Sequence, residues 1–259
     1  MSQQRTVSVG SFYWRFKNYG LMATLKYIFY YGKQLRSISL SGLLDPISFD
    51  QFAKKIGCNT KDIHASEKLV EMVIDEYKKS IAALGDSTKL KAVVRDHTIS
   101  IRLLVISLLI QHFKPDIFIE TGTQHGISAY LARKAMDKYS RNPLNRVVTL
   151  DVAKMTIPLS SKRIEYVILP TPVRSSFKRF TAELASTDSS LLFFHDSDHS
   201  YENMYFEIQW MLKSIKTNCL VSDDINGNSA FLDIASSIDK PYCVVKGEGE
   251  PAIGVILNV

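Results

Sequence analysis

From Lys114-Pro115 onward the chain alternates short apolar runs with helical stretches, and this alternation constrains its fold more than any other feature. The apolar runs span residues 117–121, 147–151, 164–169, 191–195, 219–222, 242–245 and 253–257. Helical patterns fill 127–136, 175–184, 201–215 and 230–238, and a strongly apolar helix over 99–113 precedes them. Strands alternating with helices of about 10–15 residues build βαβ units and therefore a parallel sheet. The last two runs are separated by little more than Lys246-Gly-Glu-Gly-Glu250-Pro. A parallel crossover needs about a dozen residues or more, so these two runs pair as an antiparallel hairpin. The expected fold class is α/β: a parallel, Rossmann-like sheet closed by a C-terminal antiparallel hairpin.

Composition agrees with one globular unit and excludes several others. Among 259 residues, 46% are hydrophobic and 22% charged, which rules out disorder and low complexity. The three cysteines, Cys58, Cys219 and Cys243, are far apart, so a disulfide scaffold or cysteine zinc site is not expected, and a reducing, cytoplasmic setting fits. The net charge of +6 is confined to the first 44 residues. Six of the 32 basic side chains lie there (Arg5, Arg15, Lys17, Lys26, Lys33 and Arg36) and none of the 26 acidic ones, so the rest is neutral. A nucleic-acid-binding domain is therefore not expected.

The same arm is aromatic, with Phe12, Tyr13, Trp14, Phe16, Tyr19, Tyr27, Phe29, Tyr30 and Tyr31. Its longest apolar run, 19–31, contains Lys26 and is too short to span a bilayer, which takes about 20 apolar residues. Two readings remain: a helix packed on the core or on a second subunit of a homo-oligomer, and a peripheral segment on an anionic membrane surface. Residues 46–90 read as helices, one starting near Ser66-Glu67 and running to about Leu84. The expected division is a helical region over 1–90 and the α/β domain over 91–259.

Four stretches carry chemistry. In the first, Glu120-Thr121-Gly122-Thr-Gln-His-Gly126-Ile-Ser128, the chain leaves a strand and turns through two glycines into a helix. Gly122 permits a sharp turn and close approach to a ligand, and Gly126 opens a helix N-terminus with free N–H groups. The pattern is neither G-x-G-x-x-G nor a P-loop, and an acid at the strand end suits a cationic ligand group. In the second, Asp151 ends the next strand, where a carboxylate can accept two ribose hydroxyls. The third and fourth, His195-Asp196-Ser197-Asp198-His199-Ser-Tyr201 and Ser222-Asp223-Asp224-Ile-Asn226, each end a strand in paired acids. Neighbouring strands lie about 4.8 Å apart, so these acids can converge on one hard cation, with His199 facing its open side as a base. The bland alternative is that the acids cap the helix from Tyr201 and a solvated turn.

On these residues the stretch from about Ile99 to Val259 resembles a class I S-adenosylmethionine-dependent methyltransferase. Within that superfamily it is similar to the group with an Asp-Gly-Asp-His-Ser-Tyr-type motif, which includes macrolide sugar O-methyltransferases and relatives of the cephalosporin-modifying methyltransferase protein. Ser197 stands where the motif has glycine. The resemblance implies cofactor contacts at Glu120, Thr121, Gly122, Gly126, Ser128, Asp151 and Asp196. It implies divalent-metal ligands, Mg²⁺ first, at Asp196, Asp223 and Asp224, and a general base at His199. The implied reaction is O-methylation of a small-molecule or glycan-like hydroxyl. Three other readings stand beside it: a metal-dependent glycosyltransferase using Asp196-Ser-Asp198 as D-x-D, a binuclear hydrolase built on His195, Asp196, His199 and Asp223, and a non-catalytic interaction module.

Overall fold

A computed structural model describes residues 45–83, 99–140, 142–154, 157–159, 161–170, 173–184, 189–215 and 217–257. The basic aromatic arm over 1–44 lies outside the described residues. Leu44–Val259 form one unit, in which helices α1 (Phe49–Lys55) and α2 (Thr60–Ala83) share a core with the sheet. The sheet strands are β1 (Ile117–Thr121), β2 (Arg146–Asp151), β3 (Ile164–Ile168), β4 (Leu191–His195), β5 (Cys219–Ser222), β6 (Tyr242–Lys246) and β7 (Ala252–Leu257). Helix α3 (Ile101–Phe113) precedes β1. Helices α4 (Ile127–Tyr139), α5 (Val173–Leu184), α6 (Tyr201–Lys213) and α7 (Ala230–Ser237) follow β1, β3, β4 and β5.

The spatial order is β3-β2-β1-β4-β5-β7-β6. The first five strands are parallel, and β7 runs antiparallel between β5 and β6. The hairpin expected at the C-terminus is present; its second strand enters the sheet beside β5, which leaves β6 at the edge. Strand order reverses at β1, which pairs with β2 on one side and β4 on the other. Ligands in open parallel sheets bind outside the carboxyl ends at this kind of reversal.

Both faces of the sheet are covered, which is why the strands read as continuous apolar runs. Phe118, Val147, Leu192, Phe194 and Val221 point towards α1 to α4. Their alternates Ile119, Val148, Phe193 and Leu220 point towards α5 to α7. Helix α2 begins six residues before the expected Ser66. Asn59 supplies the cap, its Oδ1 accepting the N–H of Lys61 at 2.8 Å, while Asp62 Oδ2 accepts the N–H of Asn59 at 2.9 Å. Ser66 is instead a buried helix residue whose hydroxyl donates to Gln111. Cys58, Cys219 and Cys243 are free and buried. Among the described residues no helix is long and apolar enough to cross a membrane.

Candidate functional site

The carboxyl ends of β2, β1, β4 and β5 are tied in one line by backbone bonds. Gly122 N–H donates to Leu150 O at 2.8 Å, Asp196 N–H to Thr121 O at 3.0 Å and Asp223 N–H to His195 O at 2.9 Å. The residue after each strand is thereby fixed beside its neighbour, and Asp196 and Asp223 stand together, both buried. The expected convergence of these two acids is what the structure places at the sheet end.

Between them stands a residue that the sequence reading missed. Arg102, in the first turn of α3, brings Nη1 to 3.2 Å from Asp196 Oδ2 and 3.1 Å from Asp223 Oδ2. Burial alone would lower its pKa, but Asp196 and Asp223 hold the guanidinium more firmly charged than usual. Its helix is anchored at the same end: Glu250, from the β6–β7 turn, accepts the N–H of Ile101 at 2.8 Å. The signal was available, since Arg102 is the sole Lys, Arg, Asp or Glu in Ile101–Phe113. A lone charge in an otherwise apolar, buried helix needs a partner.

The expected metal ligands therefore do not assemble as a carboxylate cage. Asp196 and Asp223 share a guanidinium, and among the described residues no group of three or more His, Cys, Asp or Glu side chains is arranged to hold an ion. Asp224 follows in a left-handed conformation, its N–H donating to Asp223 Oδ1 at 2.9 Å. The D-x-D arrangement likewise does not form: Asp198 accepts the N–H of Ser200 at 3.1 Å, while Asp196 turns to Arg102 and His199.

His199 Nε2 lies 3.5 Å from Asp196 Oδ1, and its Nδ1 has no hydrogen-bond partner among the described residues. Asn228 Nδ2 donates to the His199 carbonyl at 2.9 Å, fixing the backbone that carries the ring. Burial disfavours the charged imidazole, but Asp196, with Asp224 and Asp223 nearby, lifts its pKa above the ordinary histidine value. The Asp196 carboxyl is raised: burial dominates and Asp223 adds like charge, against His199 and Arg102, which pull it down.

Glu120 is fully buried at the end of β1. Its carboxyl accepts Thr149 Oγ1–H at 2.6 Å and the hydroxyl of Ser128, the second residue of α4. Burial pushes its pKa up to about 8, against the lowering effect of those two hydroxyls. Gly126 caps α4 at φ 73° with no side-chain bond to the helix end. Gly122 lies tight against the neighbouring strand: at φ 90°, an added Cβ would stand 2.0 Å from the Asp196 carbonyl oxygen. Asp151 closes β2. Its Oδ1 accepts the N–H of Val152 at 2.7 Å, and its Oδ2 that of Gln124, in the glycine loop, at 3.3 Å.

Thr121 points the other way, as strand alternation requires, and donates to Glu207 Oε2 at 2.7 Å. Glu207 also takes His195 Nδ1 at 2.8 Å, Ser197 Oγ at 3.1 Å and Asn203 Nδ2 at 3.0 Å. Burial would raise this carboxyl, but His195, Thr121 and Asn203 hold it below the usual range. His195, for which the sequence suggested no role beyond the hydrolase reading, is thus a buried strut beneath the site. Its ring meets His199 edge-on at 5.6 Å between centroids. Glu207 was legible as an acid on the apolar face of α6, in step with Met204, Ile208 and Met211.

Residues 119–225 match the family model described as a methyltransferase domain. A putative O-methyltransferase from Klebsiella pneumoniae shares the fold at 12% identity and TM-score 0.50, over 75% of this chain and 96% of that one. The O-methyltransferase TomG from Streptomyces achromogenes, in complex with SAM, is 14% identical over 77% of this chain and 96% of its own, at TM-score 0.48. The O-methyltransferase from Bacillus cereus in complex with SAH is 14% identical over 80% and 96%, at TM-score 0.46. No curated protein matches the chain. The family match starts within β1 and ends just past β5, so the stretch that is similar to a methyltransferase domain contains all four strand ends of the site, on a sheet that shares the fold of the Klebsiella pneumoniae structure.

Proposed function

We propose that the protein methylates a hydroxyl oxygen of a small-molecule or glycan-like acceptor, with His199 as the base. The observation that carries this reading is the His199 ring held against Asp196 at the carboxyl end of β4, next to the glycine turn of β1. S-adenosylmethionine, when bound, supplies a methyl group already activated on a sulfonium. What remains for the protein is alignment of the two reactants and removal of one proton.

The residues on the β1 and β2 side suit the donor. The buried carboxyl of Glu120 would offer negative charge to the donor's cationic group, the α4 N-terminus opens at Gly126, and Asp151 stands at a strand tip, the place where a carboxylate can hold ribose hydroxyls. On the β4 side, Asp196 orients the imidazole through Nε2 and leaves Nδ1 as the nitrogen without a partner, which takes the acceptor's proton. Transfer forms the oxygen–carbon bond and breaks the sulfur–carbon bond, and the proton ends on His199. No step is routed through a metal, because a guanidinium stands between the carboxylates expected to bind one. The Klebsiella pneumoniae neighbour's name, putative O-methyltransferase, agrees with this reading.

Donor labelled in its methyl group, incubated with a panel of phenols, sugars and glycosides, tests the proposal. Label recovered as a methyl ether is the expected result, and label recovered only on nitrogen or carbon overturns it.

A further inference from the structure

We propose that Arg102 takes the place of a divalent cation in this site, so that the enzyme carries its own fixed positive charge and works without a metal. The inference rests on the methyltransferase reading for its purpose, but its geometry stands apart from it. One nitrogen, Nη1, contacts one oxygen of each carboxylate at 3.1 and 3.2 Å, bridging them as a shared cation would. Two buried carboxylates at adjacent strand ends repel one another unless a positive charge lies between them. A guanidinium supplies that charge permanently, since it does not give up its proton in proteins.

Arg102 is also built in rather than draped over the site. It sits in the first turn of a helix whose neighbouring residues Ile101, Leu103, Val105 and Ile106 are buried. The N-terminus of that helix is held by Glu250 from the far hairpin. The other titratable groups facing it are Glu120, which favours the guanidinium whenever its carboxyl is ionised, and His199 by way of Asp196. A metal ion drawn to Asp196 and Asp223 would have to settle beside the guanidinium or displace it, and would find the Oδ2 atoms engaged. Arg102 is therefore a positioning residue: it sets the two carboxylates, and through Asp196 it sets the His199 ring.

Removing the guanidinium should uncover a metal site. Mn²⁺ titrated into the full-length protein without donor, with free Mn²⁺ followed by electron paramagnetic resonance, provides a readout separate from turnover. Wild type and Arg102→Lys are expected to leave Mn²⁺ free up to about 1 mM, the weak end of affinity for acidic oxygen sites. Arg102→Ala is expected to bind one Mn²⁺ per chain at least tenfold more tightly, and the added change Asp223→Asn should abolish that gain. If Arg102→Ala does not fold, the wild-type titration still decides. One Mn²⁺ bound per wild-type chain and lost in Asp223→Asn overturns the proposal. A parallel titration with S-adenosylmethionine separates the two readings: failure to bind donor sinks the proposed function and leaves the Mn²⁺ result standing.

Discussion

His199→Ala is expected to lower kcat by about 10²–10⁴-fold, the usual contribution of a positioned general base, with little change in donor affinity. The fold should survive, because the groups around the ring do not depend on it. Asp196 keeps Arg102 as its partner, and the contact from Asn228 goes to the residue 199 carbonyl, which alanine retains. The loss should therefore fall on the chemical step. A single-turnover measurement of methyl transfer, beside a melting curve and a donor titration for the same variant, isolates it. Turnover as fast as the parent's would show that His199 is a structural ring packed on His195. An equal loss in kcat and in donor binding would place it in the donor pocket instead.

Gly122→Ala is expected to be the most damaging single methyl addition at the site. Residue 122 has φ 90°, where an L side chain is strained, and its Cβ would lie 2.0 Å from Asp196 O, 2.6 Å from Asp196 C and 2.9 Å from Ser197 Cα. All three are backbone atoms, so no rotamer change relieves the contact. The strand ends cannot simply part either, since Gly122 N–H is bonded to Leu150 O and Asp196 N–H to Thr121 O. Strain and overpacking together cost roughly 2–6 kcal/mol, a fall in Tm of about 5–20 °C for a unit of this size. Gly57→Ala is the control. It shares a positive φ of 83° but has nothing within 4 Å of its Cβ. It should cost only the backbone term, about 1–2 kcal/mol. If the two variants melt alike in thermal denaturation, the close approach of β1 to β4 is not the constraint described.

The contrast between these residues shows where the sequence was informative. Strands β1, β4 and β5 were legible to the residue, because each opens on three or four apolar residues and stops at an acid or a glycine turn. Parallel pairing of such runs brings the residues after them together, so the meeting of Asp196 and Asp223 follows from pattern and register alone. The C-terminal hairpin was legible from its short connection, whereas the insertion of β7 between β5 and β6 depends on which sheet edge is free, and no local pattern states that. Arg102 escaped notice for a related reason. Its partners lie 94 and 121 positions away, and a lone charge in an apolar helix announces a buried partner without naming it. Glu207 joins Thr121 across 86 positions in the same way. The start of α2 was missed because Asn59, a good cap, precedes a polar first turn that carries little apolar periodicity.

Calorimetric titration of S-adenosylmethionine at pH 7, repeated in buffers of different ionisation enthalpy, tests most directly the claim that the β1 end receives a cationic methyl donor. Glu120, its pKa pushed up to about 8 by burial, is largely protonated at that pH in the free protein. A cation brought to the strand end favours the carboxylate and lowers that pKa, so binding must expel a proton. The predicted result is saturable binding of one donor per chain with release of up to about one proton, the release vanishing in Glu120→Gln. No saturable binding, or a proton count that Glu120→Gln leaves unchanged, would contradict it.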